Sequence, residues 1–210
     1  MNKTAYIDFD GTVVDVMPRY HGILESYLKR NTQLKLDYEK YCFLKKQGIK
    51  DHAIVHEICK GYKININDYV VFKGENLEDR YWLSKDIIIG FPEVAYEKLN
   101  RLGYNVKLLT QRNSERELLY QVNSLGIKDF FDEIVVLKPL QEKNAKVSFL
   151  TDKIYSEDII IGDSKIEMEV ADVFNIKGFF VESGLWGASF AGSKDRIFKD
   201  YNTVVNYLQS

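Results

Sequence analysis

Five short apolar runs punctuate the chain, at about 4–8, 105–109, 133–137, 158–162 and 178–182. They are rich in Val, Ile and Leu and do not alternate strictly with polar residues, the pattern of strands buried on both faces. Helical spacing fills the gaps between the last four. Residues 92–102 open with Pro92, which suits a first helical turn, and stop at Gly103. Residues 114–126 place Ser114 and Glu117 at capping-box spacing, then Leu118, Val122 and Leu125, then Gly126. Strands alternating with helices predict parallel βαβ units with right-handed crossovers. The expected core is therefore an α/β, doubly wound parallel sheet of five strands.

Residues 16–88 break this rhythm. Tyr20, Ile23, Leu24, Tyr27 and Leu28 fall at helical spacing. Ile54, Val55, Ile58 and Cys59 do so too, after Asp51 as N-cap and before Gly61 as C-cap. Leu77, Tyr81 and Trp82 suggest one more helix. The chain thus divides into a Rossmann-like core, 1–15 and 89–210, and an inserted helical segment, 16–88.

Charge narrows the partners. The net charge of −2 comes from near-equal acids and bases, with no basic stripe for nucleic acid and no charged tail. No apolar run approaches the 18 or so residues of a membrane span, and the start MNKTAYIDFDG lacks a signal-peptide core. Cys42 and Cys59 form no metal or redox motif and read as buried thiols. These features predict a soluble, cytoplasmic protein without nucleic-acid or membrane partners. Its oligomeric state is open. His52 and His56, at i and i+4, have zinc-binding spacing but no third ligand nearby, and read as a helix face.

The chemistry concentrates where the first apolar run ends, in Ile7-Asp8-Phe9-Asp10-Gly11-Thr12. A strand feeding this turn sets two carboxylates at the carboxyl end of a sheet, where open α/β folds bind ligands. One carboxylate can attack phosphorus to form an aspartyl-phosphate, and the other can trade protons with the leaving group and water. Clustered carboxylates repel unless a cation lies between them, and Mg²⁺ prefers oxygen ligands. Gly11 permits a tight turn with positive φ.

This string resembles the first motif of the haloacid dehalogenase-like (HAD) hydrolases, and the resemblance runs over almost the whole chain. It implies the phosphatase branch, phosphoglycolate phosphatase-like, with residues 16–88 as a helical cap over the active site. Thr110, closing the run Lys107-Leu108-Leu109, matches the hydroxyl of the second motif. Ile161-Gly162-Asp163, followed by Glu167, resembles the fourth, with Asp163 as a metal ligand. Glu167 stands where Asp is common. It could bind metal directly, act through water or orient Lys146. The third motif is a lysine, with Lys138, Lys143 and Lys146 available. Lys146 is preferred because Asn144 can cap a helix there and Phe149 and Leu150 supply packing.

The resemblance implies a Mg²⁺-dependent phosphatase for a small phosphate ester. Asp8 is the nucleophile and Asp10 the acid–base group, and Thr110 and Lys146 complete the catalytic set. Thr12 and Arg112 contact substrate, although Arg112 could equally be a surface residue. Mg²⁺ is held by Asp8, Asp163 and the backbone carbonyl of Asp10. A phosphomutase uses the same residues, and an inactive binding module could keep the fold.

Overall fold

The computed structural model describes residues 3–210, without the side chain of Asp195. The chain opens with β1 (Lys3–Ile7) and a short β2 (Val14–Asp15). Five helices follow: α1 (Met17–Asn31), α2 (Tyr38–Lys46), α3 (Asp51–Ile58), α4 (Ile66–Asn76) and α5 (Arg80–Leu83). Then come β3 (Ile87–Ile88), α6 (Pro92–Arg101), β4 (Tyr104–Gln111), α7 (Glu115–Ser124), β5 (Glu133–Leu137) and α8 (Ala145–Leu150). The chain closes with β6 (Ile159–Gly162), α9 (Lys165–Phe174), β7 (Lys177–Val181), β8 (Ile197–Phe198) and α10 (Tyr201–Leu208).

The main sheet is parallel, in the order β5-β4-β1-β6-β7-β8. It has six strands rather than the expected five. The addition is β8, whose two half-buried residues pair with Phe180 and Val181 and are too few to show a pattern. After β5 the chain crosses to the other side of β1. The switch point therefore lies at the carboxyl end of β1, where such sheets open a crevice.

Alternation along the strands sorts the core into two layers. Ala5, Ile7, Val106, Leu108, Ile159 and Ile161 pack on one face with Leu99, Leu118, Val122 and Val204. Tyr6, Leu109 and Ile160 pack on the other with Leu150, Val170 and Ala171. Both faces are covered, so apolar residues occupy positions of both parities and the runs lose strict alternation.

Between β2 and β3, the helices build an apolar cluster of their own from Met17, Leu24, Leu28, Tyr41, Ile54, Val55 and Tyr69. The antiparallel pairing of Val14 with Ile88 and Asp15 with Ile87 joins the two ends of this insertion. The patch of Leu77, Tyr81 and Trp82 is divided: Leu77 ends α4, and the other two lie in α5. Among the described residues, no helix is long and apolar enough to cross a membrane.

Asp51 does not cap α3. Lys50 holds that position, with no side-chain bond, and Asp51 is the first helical residue. Its buried carboxylate instead accepts from Tyr41 at 3.0 Å, Lys45 at 2.9 Å, Tyr69 at 3.1 Å and Lys73 at 2.5 Å. It thereby fastens α2, α3 and α4 together. Burial alone would push this carboxyl up, but Lys73 and Lys45 outweigh burial and hold it below the ordinary range.

Asp51→Asn is expected to destabilise the protein by about 3 kcal/mol at neutral pH, because it leaves buried lysine charge without its partner. The wild-type carboxylate is easier to ionise folded than unfolded. Its contribution is therefore full above the ordinary pKa, near 4, and fades as pH falls through the lower folded value. Urea melts of both proteins from pH 7 to pH 3 should converge at the acid end. A constant gap would refute the ion-pair account.

Candidate active site

The turn after β1 is wound around one carbonyl. Phe9 O accepts from the N–H groups of Thr12, Val13 and Val14 at 3.2, 2.9 and 3.1 Å. Gly11 makes this possible with φ of +82°. A cavity of about 190 Å³ opens beside the turn, and Asp8, Asp10, Thr110, Lys146 and Asp163 all line it. Glu167, Tyr20 and Trp186 complete its walls.

Each polar wall is set by its element. Asn144 caps α8 by accepting from the N–H groups of Lys146 and Val147. This fixes Lys146 in the first turn, 2% exposed. Its ammonium lies 2.6 Å from Asp8 Oδ1 and 2.6 Å from Glu167 Oε1. Lys138 and Lys143 are exposed. Glu167 also closes a capping box on α9, accepting from Ser164 N–H at 3.1 Å and Ser164 Oγ at 2.7 Å. Of the three roles open to Glu167, the contact with Lys146 is the one that the orienting role requires.

Burial pushes the Asp8 carboxyl up to about 7, with Lys146 opposing and Glu167 adding to the rise. Burial and the neighbouring Asp8 and Glu167 raise Asp163 well above the ordinary carboxylate range. Asp163 accepts a hydrogen bond from Leu185 N–H at 2.8 Å. Its space is kept by glycines: a Cβ at Gly11 would come within 2.5 Å of Asp163 Oδ2, and one at Gly184 within 1.8 Å.

Asp10 has the opposite surroundings. Arg112 grips it with Nε on Oδ2 at 2.5 Å and Nη2 on Oδ1 at 2.6 Å. Arg19, from α1, adds Nη2 on Oδ1 at 2.6 Å. Burial favours the neutral acid, but the two guanidinium groups outweigh it and keep Asp10 ionised. Behind them, Gln121 bonds both Arg112 and Asp86, and Arg19 Nε lies 3.1 Å from Asp86.

The residues expected from the sequence thus largely converge. Arg112 is buried, and its two-pronged contact is with Asp10 rather than aimed across the cavity. Thr12 is fully buried and lines neither this cavity nor the one beyond Asp10. Arg19 and Asp86 were not anticipated. Arg19 sits four residues before Ile23, a charge on the buried stripe of an amphipathic helix, and that placement was the available signal.

Residues 6–181 match the model of the haloacid dehalogenase-like hydrolases. The chain belongs to this family. No curated protein matches it in sequence. Among solved structures, a predicted phosphoglycolate phosphatase from Haemophilus somnus 129pt is similar, with a TM-score of 0.70 and 20% identity over 99% of this chain and 98% of that one. A haloacid dehalogenase-like family hydrolase from Streptococcus pneumoniae gives 0.71 and 19%, over 99% of both chains. A candidate β-phosphoglucomutase from Thermotoga maritima gives 0.65 and 15%, over 99% and 98%. At these identities the likeness establishes the shared fold.

HAD hydrolases generally use a divalent metal, and the donor set here fits one. Three buried carboxylates, Asp8, Asp163 and Glu167, face one ammonium, Lys146. The surplus negative charge in a desolvated site calls for a cation. Among the described residues, no three His, Cys, Asp or Glu side chains form a ready-made cage. Asp8 and Asp163, with Glu167 beside them, offer acidic oxygens here, and a hard cation suits an all-oxygen set.

A divalent ion at about 100 times its Kd should stabilise the protein by about 2.7 kcal/mol. Thermal melts with Mg²⁺ or Mn²⁺ should show this as a higher Tm, and Asp163→Asn should abolish the rise. An equal rise in the variant would exclude Asp163 as a ligand.

Proposed function

We propose that this protein is a Mg²⁺-dependent phosphatase that hydrolyses a small phosphate ester through an aspartyl-phosphate on Asp8. The observation that carries the reading is the pairing of Asp8 with Lys146 at 2.6 Å at the sheet's switch point, beside Thr110 and Asp163. A lone strand-end carboxylate has no need of a buried ammonium. A nucleophile that must approach an anionic phosphoryl group does.

Asp8 attacks phosphorus in line, forming the Asp–O–P bond as the P–O bond to the alcohol breaks. The alkoxide takes a proton from Asp10. Water then attacks the acyl phosphate, gives its proton to Asp10, and orthophosphate leaves as the Asp8 carboxylate is restored. Lys146 and the Thr110 hydroxyl hold the phosphoryl oxygens. Asp8, Asp163 and the carbonyl of Asp10 would hold Mg²⁺, which would supply positive charge against those oxygens.

Asp10 is poised for the second half of this cycle. Clamped by Arg112 and Arg19, it is a carboxylate ready to accept water's proton. Delivering a proton to the alcohol requires that a guanidinium contact be given up. Residues 16–88 act as the cap in this reading. Tyr20 walls the cavity, and the Lys46 ammonium donates to the carbonyls of Glu182 and Gly184 beside Asp163.

The decisive assay is orthophosphate release, as opposed to an isomerised product, across small phosphate esters. Asp8→Asn should have no measurable turnover while retaining the wild-type fold. Lys146→Ala should lose about 10²–10³-fold in kcat, the usual cost of removing a preorganised charge donor. Lys138→Ala and Lys143→Ala should remain close to wild type. Near-normal release by Asp8→Asn would end the proposal.

Asp10→Asn separates the two proton transfers. It should cost about 10²–10⁴-fold on alkyl phosphates. On p-nitrophenyl phosphate the first step needs no acid, so phosphorylated protein should accumulate and be visible by mass spectrometry. Equal losses on both substrates without trapped intermediate would remove the acid–base role.

A further inference from the structure

A second cavity, of about 210 Å³, adjoins the first and shares Asp10, Tyr20 and Gln111 as walls. Its other polar walls include Arg19, Glu78, Arg112 and Asn113. If the phosphoryl group engages Asp8 and Lys146, the atoms beyond the bridging oxygen extend past Asp10 into this space. Its volume lies below the roughly 300–1,000 Å³ usual for drug-sized ligands, which limits the guest to a small group.

We propose that this cavity receives the leaving group and selects an uncharged, hydroxylated one, the alcohol of a polyol phosphate, over one bearing a carboxylate or a second phosphate. The inference rests on the phosphatase reading above and adds the substrate class.

The two arginines suggest an anion site until their partners are counted. Nε and Nη2 of Arg112 are spent on Asp10, as is Nη2 of Arg19. The remaining faces of Arg19 meet Leu77 O at 2.9 Å and Asp86 at 3.1 Å. Glu78 brings a further carboxylate into the wall. Two guanidinium groups and two carboxylates, Asp10 and Glu78, thus share this wall, with Asp86 behind them, and the wall has no net positive charge to offer an anionic guest. The amides at the start of α7 are also taken. Asn113 N–H and Ser114 N–H donate to the two oxygens of Glu78 at 2.8 and 2.7 Å.

Hydrogen-bonding capacity remains. Arg112 Nη1 is buried and has no hydrogen-bond partner among the described residues, and Arg19 Nε has only its ion pair with Asp86, costly states for charged donors. The Glu78 carboxylate has further lone pairs to offer. A hydroxyl both donates and accepts, so adjacent hydroxyls on one small alcohol can satisfy both groups. A carboxylate in this cavity would share it with Asp10 and Glu78, and like charges in a desolvated site repel.

Matched ester pairs differing only in CH₂OH against COO⁻ test this. They are glycerol 3-phosphate with 3-phosphoglycerate, and 2-hydroxyethyl phosphate with phosphoglycolate. In Mg²⁺, kcat/KM for orthophosphate release should be at least tenfold higher for the neutral member of each pair. Glu78→Gln should narrow both ratios severalfold, with the change carried mainly by KM of the acids. Equal rates, or a preference for the acids, would overturn the proposal. So would hydrolysis of p-nitrophenyl phosphate with neither neutral ester turned over. If p-nitrophenyl phosphate too were untouched, the phosphatase reading itself would fail, and the subsite with it.

Discussion

One buried ammonium sets the geometry of this molecule's centre. Lys146 is shared between Asp8 and Glu167 at 2.6 Å each, so α8, the end of β1 and the start of α9 meet at a single charge. Desolvating an ion costs several kcal/mol, and only close, hydrogen-bonded partners offset that. Moving any of the three elements would strand a charge in the interior. The sheet holds its side of the bargain through apolar burial on both faces, which fixes where β1 ends. The lysine then fixes what stands around that end.

The Asp10 side is built on the same physics with the signs rearranged. Two guanidinium groups converge on one carboxylate, and Asp86 and Gln121 hold the guanidiniums in turn. Burial pushes Asp86 up to about 7, partly against the pull of Arg19. The two halves of the site therefore differ in electrical character. Around Asp8 there is surplus negative charge, suited to a cation. Around Asp10 the charges are nearly closed. Arg19 and Asp86 lie near the two ends of the helical insertion, so the contacts of Asp10 run from the sheet into the insertion.

What could be read from the chain follows the range of the forces involved. The long strands were legible because burial on both faces leaves an uninterrupted apolar run, as in Ile159-Ile160-Ile161. β8 was not, since two half-buried residues carry no periodicity. Local caps were legible: Ser114 accepts from Glu117 N–H, and Asn144 from Lys146 N–H, as spacing suggested. Asp51 shows where local reasoning fails. Its position fits an N-cap, but two lysines and two tyrosines from neighbouring helices offer its carboxylate more than one turn of backbone can. Arg19, and the partner of Arg112, were hidden for the same reason. The partner of both arginines is Asp10, and no sequence spacing encodes that meeting.

Glu167 shows how one substitution of type can be forced by geometry. The side chain bonds the Ser164 backbone and hydroxyl through Oε2 and Lys146 through Oε1. A capping box requires a side chain that folds back over a full helical turn, which is why Glu or Gln fills that place. An Asp is one methylene shorter. It would have to choose between closing the helix end and holding the lysine. With Glu, both are done at once, one through each oxygen. The residue that departs from the family's usual Asp thus joins the start of α9 to the Lys146 ammonium, which lies against Asp8.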